Sequence, residues 1–341
     1  VSEPSVERLG HVPALDGLRG VAIAIVVAYH YWNWPRGGWL GVDLFFVLSG
    51  FLITTLLLEE HAAKGRIQFR EFYLRRGRRL FPALAVLLGT YLVINAARRT
   101  DALGLVAHWG FYTANVYEAF WPGTAVHLIG LNHLWSLAQE EQFYLLWPAA
   151  LLVVAKLRRP ARFLITLALA LAIYRAALVL NGASGFRIYF APDTHADGLV
   201  LGSALAFARQ KGAALKPTVN ALAAAAILCV PFVAFTLSVP RTQMVILPLF
   251  EVAAVVFVAA AAAGTLRLPR PLIWLGGISY SLYLWHALVL WAFHGDHRLI
   301  ALALSVAAAY ASTRWVERPF RRRRPAASSE PLPVAVPAEA G

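Results

Sequence analysis

ALDGLRGVAIAIVVAYHYWNW, residues 14–34, is long enough to cross a bilayer as a helix, yet it carries Asp16 and Arg19 near one end and His30 near the other. Ionisable side chains inside a span are costly against lipid and face a protein interior or a wet cavity. Arg19 and His30 stand eleven residues apart, which is about 16 Å along a helix and roughly 20° apart in phase. One helix therefore offers a cation near one membrane surface and an imidazole deep toward the other.

Composition extends this reading to the whole chain. Of its 341 residues, 59% are hydrophobic and 14% charged, with a mean hydropathy of +0.61; soluble domains carry about 25% charged residues. Apolar runs recur throughout, so the class is all-α, a polytopic integral membrane protein. The net charge of +13 does not indicate nucleic acid, because the positive residues sit in short loops between apolar runs and read as topology. The single cysteine, Cys229, excludes an intramolecular disulfide and a cysteine-based metal site. Glu3 and Glu7 precede the first run and no small-residue cleavage site follows it, so that run is expected to remain as an anchor.

About ten spans are predicted, near 14–34, 40–58, 80–97, 133–155, 163–181, 195–209, 218–238, 244–264, 272–293 and 299–316. The sixth is short and opens with His195 and Asp197, which predicts a broken or partly re-entrant helix. The aromatic segment 102–120 is expected at the interface, packed on the bundle. With the N-terminus inside, the cytoplasmic loops collect most of the 31 lysines and arginines, which places both termini in the cytoplasm. Trp32, Trp34, Trp39, Trp121 and Trp135 then mark the outer interface. The chain divides into a cytoplasmic N-terminus (1–13), a ten-helix membrane domain (14–324) and a Pro/Ala-rich tail (325–341) expected to be disordered. No internal repeat and no appended soluble domain is expected.

This topology assigns a depth to each polar residue. A basic cytoplasmic layer holds Arg19 and the run FYLRRGRRLFP with Arg76, Arg79 and Pro82; an outer-half layer holds His30, Asp43, Glu140, Glu141 and His286. Arg76 and Arg79 serve as positive-inside anchors, or, with five arginines in the eleven residues 70–80, as a phosphate site. Asp16 caps the first span and pairs with Arg19, or contacts a ligand. His30 bonds a backbone carbonyl, or works with carboxylates at its own depth. Glu140 and Glu141 inside one span require at least one of them to face a polar site. Gly38, Gly41, Ser49 and Gly50 permit close helix packing, with Ser49 a pocket candidate. Asp193, His195 and Asp197 have metal-like spacing but read better as an outer vestibule. The Ala/Leu/Val runs of the fifth, seventh and eighth spans read as ordinary packing or lipid-facing helix, and the C-terminal RRRR as an anionic-lipid anchor.

Six ordered motifs add a resemblance. LDGLRG with His30, GVDLFFVLSGFLIT (41–54), RRGRRLFP (75–82), HLWSLAQEEQFYLLWP (133–148), SYSLYLWH (279–286) and VERPF (316–320) together resemble the membrane acyltransferase-three family of O-antigen, exopolysaccharide and macrolide O-acyltransferases. The resemblance covers about residues 10 to 325 and implies a ten-helix core. It also implies transfer of an acyl group, commonly acetyl, from cytoplasmic acyl-CoA to a hydroxyl on a glycan, glycolipid or macrolide-type acceptor, in the bacterial cytoplasmic (inner) membrane. The family's Arg-x10-His falls on Arg19 and His30, its Arg-x-x-Arg on Arg76 and Arg79 (with Arg75 and Arg78 at the same spacing), and its Trp-Ser-Leu-x-x-Glu on Trp135 and Glu140. His195 stands where many members carry arginine, so that position stays unassigned. Members with a C-terminal esterase-like domain differ, and no two-domain relay is expected.

The implied chemistry joins the two layers. Arg19, Arg76 and Arg79 hold the phosphates of acyl-CoA, which is a co-substrate; no cofactor is bound permanently and no metal is expected. His30 acts as base toward the acceptor hydroxyl, oriented by Glu140 or Asp43; a covalent acyl-His30 is the alternative. Ser49, Trp135, Tyr144, Asp197 and His286 are candidates for the pocket. The competing class is a transporter of a small polar or glycosylated substrate, since a polar layer in a bundle also marks a path.

Overall fold

The computed structural model describes residues 8–97, 103–121, 130–211, 239–294 and 296–321. The seventh expected span (218–238, with Cys229), Arg98, Arg99 and the tail from 325 lie outside the described residues. Every regular element among the described residues is helical.

Helix α1, Pro13–Trp32, starts on a proline whose fixed φ suits the first turn and ends where Asn33 turns left-handed (φ 52°) and returns its N–H to Tyr29 O. Val12, not Asp16, occupies the N-cap, and Asp16 pairs with His11 at 2.9 Å instead of Arg19. Helix α2, Gly41–Lys64, closes on Gly65 at φ 67°. Helix α3 runs from Phe69 to Ala97, so the arginine run is helical and Pro82 lies well inside the helix rather than in its first turns. Arg and Leu are good helix formers, and they carry the helix through the basic run that the sequence suggested as a preceding loop.

The aromatic segment packs on the bundle as expected. It is a hairpin of α4 (Leu103–Gly110) and α5 (Ala114–Phe120). Its turn places Tyr112 O on Gln142 Nε2 at 2.7 Å and the Tyr112 ring 6.2 Å from Phe81. Gln142 stands about two turns into α6 (Trp135–Val154), so the hairpin dips between α3 and α6. The side-chain amide of Gln142 draws it there, bonding both Tyr112 O and Asn115 Oδ1.

After α7 (Pro160–Leu180) come α8 (Gly185–Phe190), α9 (Pro192–His195) and α10 (Asp197–Gln210), with breaks at Ala191 and Ala196. Helix α11 covers Val239–Ala262; α12 (Arg270–Gly277) and α13 (Ser279–Ala292) bend by 75°. Helix α14 (Arg298–Ala311) passes through a π-turn, Ser312–Glu317, into α15 (Arg318–Arg321). Among the described residues six helices are long and apolar enough to cross a membrane, and the bent pair makes a seventh. Helix α6 has the length but carries QEEQ, and α10 has only 14 residues. The chain is a multi-pass membrane protein.

Glycines set two of the closest helix contacts. A Cβ on Gly50 of α2 would overlap Leu199 O of α10, and one on Gly202 of α10 would overlap Val47 O of α2. Gly20 and Gly276 hold α1 against α12 in the same reciprocal way. Gly202→Val is therefore expected to force α2 and α10 apart, at the upper end of overpacking costs, ~3 kcal/mol. Melting followed by size-exclusion chromatography in detergent checks this; a variant melting with wild type refutes the close approach.

Candidate active site

Helix periodicity sorts the four arginines of the run 75–79 in α3. Arg75 is exposed and pairs with Glu60 and Glu71. Arg76, about 100° further round the helix, pairs with Glu141 of α6 at 2.9 Å and lies 3.5 Å over the Tyr144 ring. Arg79, one turn on, faces Arg19 of α1. Among the described residues neither Arg19 nor Arg79 has a carboxylate at ion-pair distance. Arg76 and Arg79, not Arg75 and Arg78, thus form the inward pair; Arg79 and Arg19, with Glu317 acting on Arg79 only from beyond ion-pair distance, favour an anion between them.

Above them a narrow cavity of about 50 Å³ runs between α1, α2, α6 and α13, lined by Arg19, Ser49, Glu140, Val42 and Tyr283 among others. Ser49 donates to Glu140, and Tyr144 Oη donates to the same carboxylate at 3.2 Å. The carboxylates do not share the imidazole layer as their spacing from the span end suggested. Glu140 lies seven residues beyond His133, about 10 Å deeper, and Glu141 is taken by Arg76.

The imidazole layer holds three rings. His30 and His286 lie 5.0 Å apart edge to face, and His286 and His133 4.9 Å. His30 is exposed at the pocket mouth; His133 and His286 stand buried behind it. His30 Nδ1 bonds Val26 O at 2.8 Å, and His286 Nδ1 bonds Tyr283 O at 2.7 Å. A carbonyl only accepts, so both Nδ1 atoms carry the proton and each neutral ring keeps its lone pair on Nε2. No carboxylate hydrogen-bonds His30 among the described residues; the expected partners Glu140 and Asp43 are both engaged elsewhere. Two pockets flank His30, Asn132 and His133: one of about 520 Å³ toward Trp291 and His294, and one of about 310 Å³ toward Trp39, Trp135 and Tyr189. The second shares Val42 and Tyr283 with the central cavity.

Asp43 points the other way. His195 Nε2 bonds it at 2.7 Å, while His195 Nδ1 bonds Tyr189 O. Asp197 pairs with Arg175 of α7 at 2.7 Å, and Arg175 also donates to Thr194 O. Glu251 of α11 lies against Gly198, where an added Cβ would come within 2.9 Å of Oε1. Asp193 is separately bound by Arg187. The three residues with metal-like spacing thus have three different partners. Trp135 packs on His195 and Tyr189 and lines the aromatic pocket.

Two spans that read as ordinary therefore carry buried charge, Arg175 in the fifth and Glu251 in the eighth, with Gln243 also buried. The signal was available: an ionisable residue inside an apolar run is itself a site marker. His133, the first residue of its motif, was not singled out either.

No solved structure matches the chain. It is 35% identical over 315 residues to the peptidoglycan O-acetyltransferase OatA of Listeria monocytogenes, covering 81% of this chain and 49% of that protein. It is 35% identical over 311 residues to YrhL of Bacillus subtilis, provisionally named a peptidoglycan O-acetyltransferase (81% and 48%). A Staphylococcus aureus relative, provisionally named an O-acetyltransferase, is 32% identical over 364 residues (93% and 58%). The chain spans about half the length of these relatives. The acyltransferase domain profile matches residues 12–314, which takes in the arginine pair, the central cavity and all three histidines, and the chain belongs to the membrane acyltransferase-three family.

Proposed function

We propose that the protein is an integral-membrane O-acyltransferase that moves an acyl group, acetyl by the names of its relatives, from acyl-CoA on the cytoplasmic side to a glycan hydroxyl on the outer side of the bacterial cytoplasmic membrane. One observation carries this reading. Arg19, with Arg79 facing it, lines a cavity that shares Val42 and Tyr283 with a pocket on His30, an imidazole whose Nε2 is free to accept a proton.

In this reading Arg19 and Arg79 hold the CoA phosphates, and the pantetheine arm extends through the cavity past Ser49 and Tyr283. Arg19 and His30 lie about 16 Å apart along α1, a distance that a flexible arm spans. The acceptor hydroxyl enters from outside, His30 Nε2 takes its proton, and the oxygen attacks the thioester carbonyl. When the C–S bond breaks, the departing thiolate takes the proton from His30, leaving an ester outside and CoA inside. The same lone pair serves a covalent acyl-His30 route; radiolabel retained on the protein after a quench without acceptor would identify it. Peptidoglycan is the first acceptor to try, on the names of the Listeria and Bacillus relatives.

The test is CoA release by the purified protein in lipid nanodiscs, with acetyl-CoA and an envelope-glycan extract. Acceptor-dependent release supports transfer; vectorial uptake of the glycan without thioester consumption would make it a carrier. Arg79→Gln is expected to raise KM for acetyl-CoA by about tenfold, the loss of one charge-assisted contact, with kcat little changed. An unchanged KM removes Arg79 from the donor site.

A further inference from the structure

Three imidazoles meet at the outer end of the cavity, and their hydrogen bonds make them unequal. His30 and His286 each spend their N–H on a backbone carbonyl one turn back, Val26 and Tyr283. What they offer inward is a lone pair. His133 is different. The Tyr283 and Leu284 carbonyls lie close enough to act on the ring, yet neither ring nitrogen reaches hydrogen-bond geometry with any described residue, and both are covered. A neutral imidazole carries one N–H. Among these three rings, then, the uncommitted N–H belongs to His133.

Leaving such a group buried without a partner is unfavourable. It is held in place all the same. Ring contacts to Tyr283 and His286 fix it from one side, and Tyr283 Oη donates to the His133 carbonyl at 2.5 Å, with Ser136 on the same hydroxyl. His133 also lines both pockets that flank His30. Among the described residues no lysine, arginine or carboxylate lines either of them, so no charged side chain among them answers negative charge developing on a reacting oxygen.

We infer that His133 is a catalytic residue whose ring N–H donates to the acyl carbonyl oxygen of the bound thioester, opposite His30. This rests on the acyl-transfer reading above. As the acceptor oxygen bonds to the carbonyl carbon and its proton passes to His30 Nε2, the carbonyl π pair moves onto the oxygen and the His133 hydrogen bond strengthens. Collapse restores the C=O bond, breaks C–S, and returns the proton from His30 to the thiolate; His133 keeps its proton throughout. Hydrogen bonds of this kind are often unmade in the free enzyme and close on substrate.

Two variants and one spectrum test it. With acetyl-CoA and an envelope-glycan extract in nanodiscs, His133→Leu should lower kcat by on the order of 10²-fold, as loss of one oxyanion donor does, with KM for acetyl-CoA within about threefold of wild type. His133→Gln restores an N–H donor and should regain at least about tenfold of that loss. The ketone analogue acetonyl-CoA, which does not turn over, reports directly: its carbonyl stretch should fall to lower frequency on wild type and return toward the solution value on His133→Leu. A wild-type kcat in His133→Leu, equal losses in Leu and Gln variants that melt with wild type, or a stretch indifferent to position 133 overturns the inference while the transferase reading stands. A wild-type protein that releases no CoA overturns both.

Discussion

His30→Ala is expected to lower kcat for acyl transfer by on the order of 10³-fold, within the range that a positioned general base contributes, with thermal stability and acetyl-CoA binding near wild type. The separation of function from fold follows from what the ring touches. Its single hydrogen bond runs to Val26 O on its own helix, a carbonyl that already serves the helix ladder. The ring is exposed at the mouth of two pockets and closes no core. Truncation removes the Nε2 lone pair and little packing. His30→Gln sharpens the comparison, since an amide keeps bulk and polarity but cannot take a proton, and should be as inactive as alanine. Stopped assays of CoA release, beside acetyl-CoA binding by calorimetry, give both numbers. Transfer by the alanine variant at the wild-type rate would remove the imidazole from the chemistry.

The sequence led to these residues unevenly, for physical reasons. Periodicity and hydropathy found α1, α2 and α7 because lipid-facing helices must be apolar over a fixed length. The same logic put Arg19 and His30 on one helix face. It misjudged α3, where a basic run looks like a loop when only hydropathy is read, although arginine is a good helix former. It expected the segment at 103–120 to pack on the bundle but gave no sign of its hairpin shape, which depends on the amide of Gln142 from another helix. Partners were the least legible. Depth counted along a span does not say which way a side chain turns, so Glu141 and Asp43 were placed with His30, whereas they face Arg76 and His195. A tautomer is set by a hydrogen bond, and the difference between His133 and the other two rings exists only in three dimensions.

The largest stability effect is expected at Arg175, which spacing alone left among ordinary helix. Its guanidinium is fully buried between α7 and α10 and touches Asp197 and Thr194 O. Asp43 with His195 and the carboxyl of Glu251 belong to the same buried region of α2, α9, α10 and α11. Three carboxyls thus share one guanidinium and one imidazole. Arg175→Met leaves Asp197 without its cation beside Glu251, and breaking a buried pair from one side costs about 3–5 kcal/mol. The partner substitution Asp197→Asn removes the charge that Arg175 was compensating and should harm less. Combining the two should recover part of the Arg175→Met loss, because the double variant buries no orphaned charge at that pair. Melting in detergent of the wild type, both single variants and the double variant gives the coupling. Additive losses would mean that the two side chains are independent, and a wild-type melting temperature for Arg175→Met would mean that the pair contributes nothing. A positive coupling instead makes this ionic cluster the clamp joining α7, α10 and α11 behind Asp43. It would explain why a helix of only 14 residues, α10, holds its place: Gly202 and Gly50 bring its backbone against α2, and Arg175 anchors its first turn through Asp197.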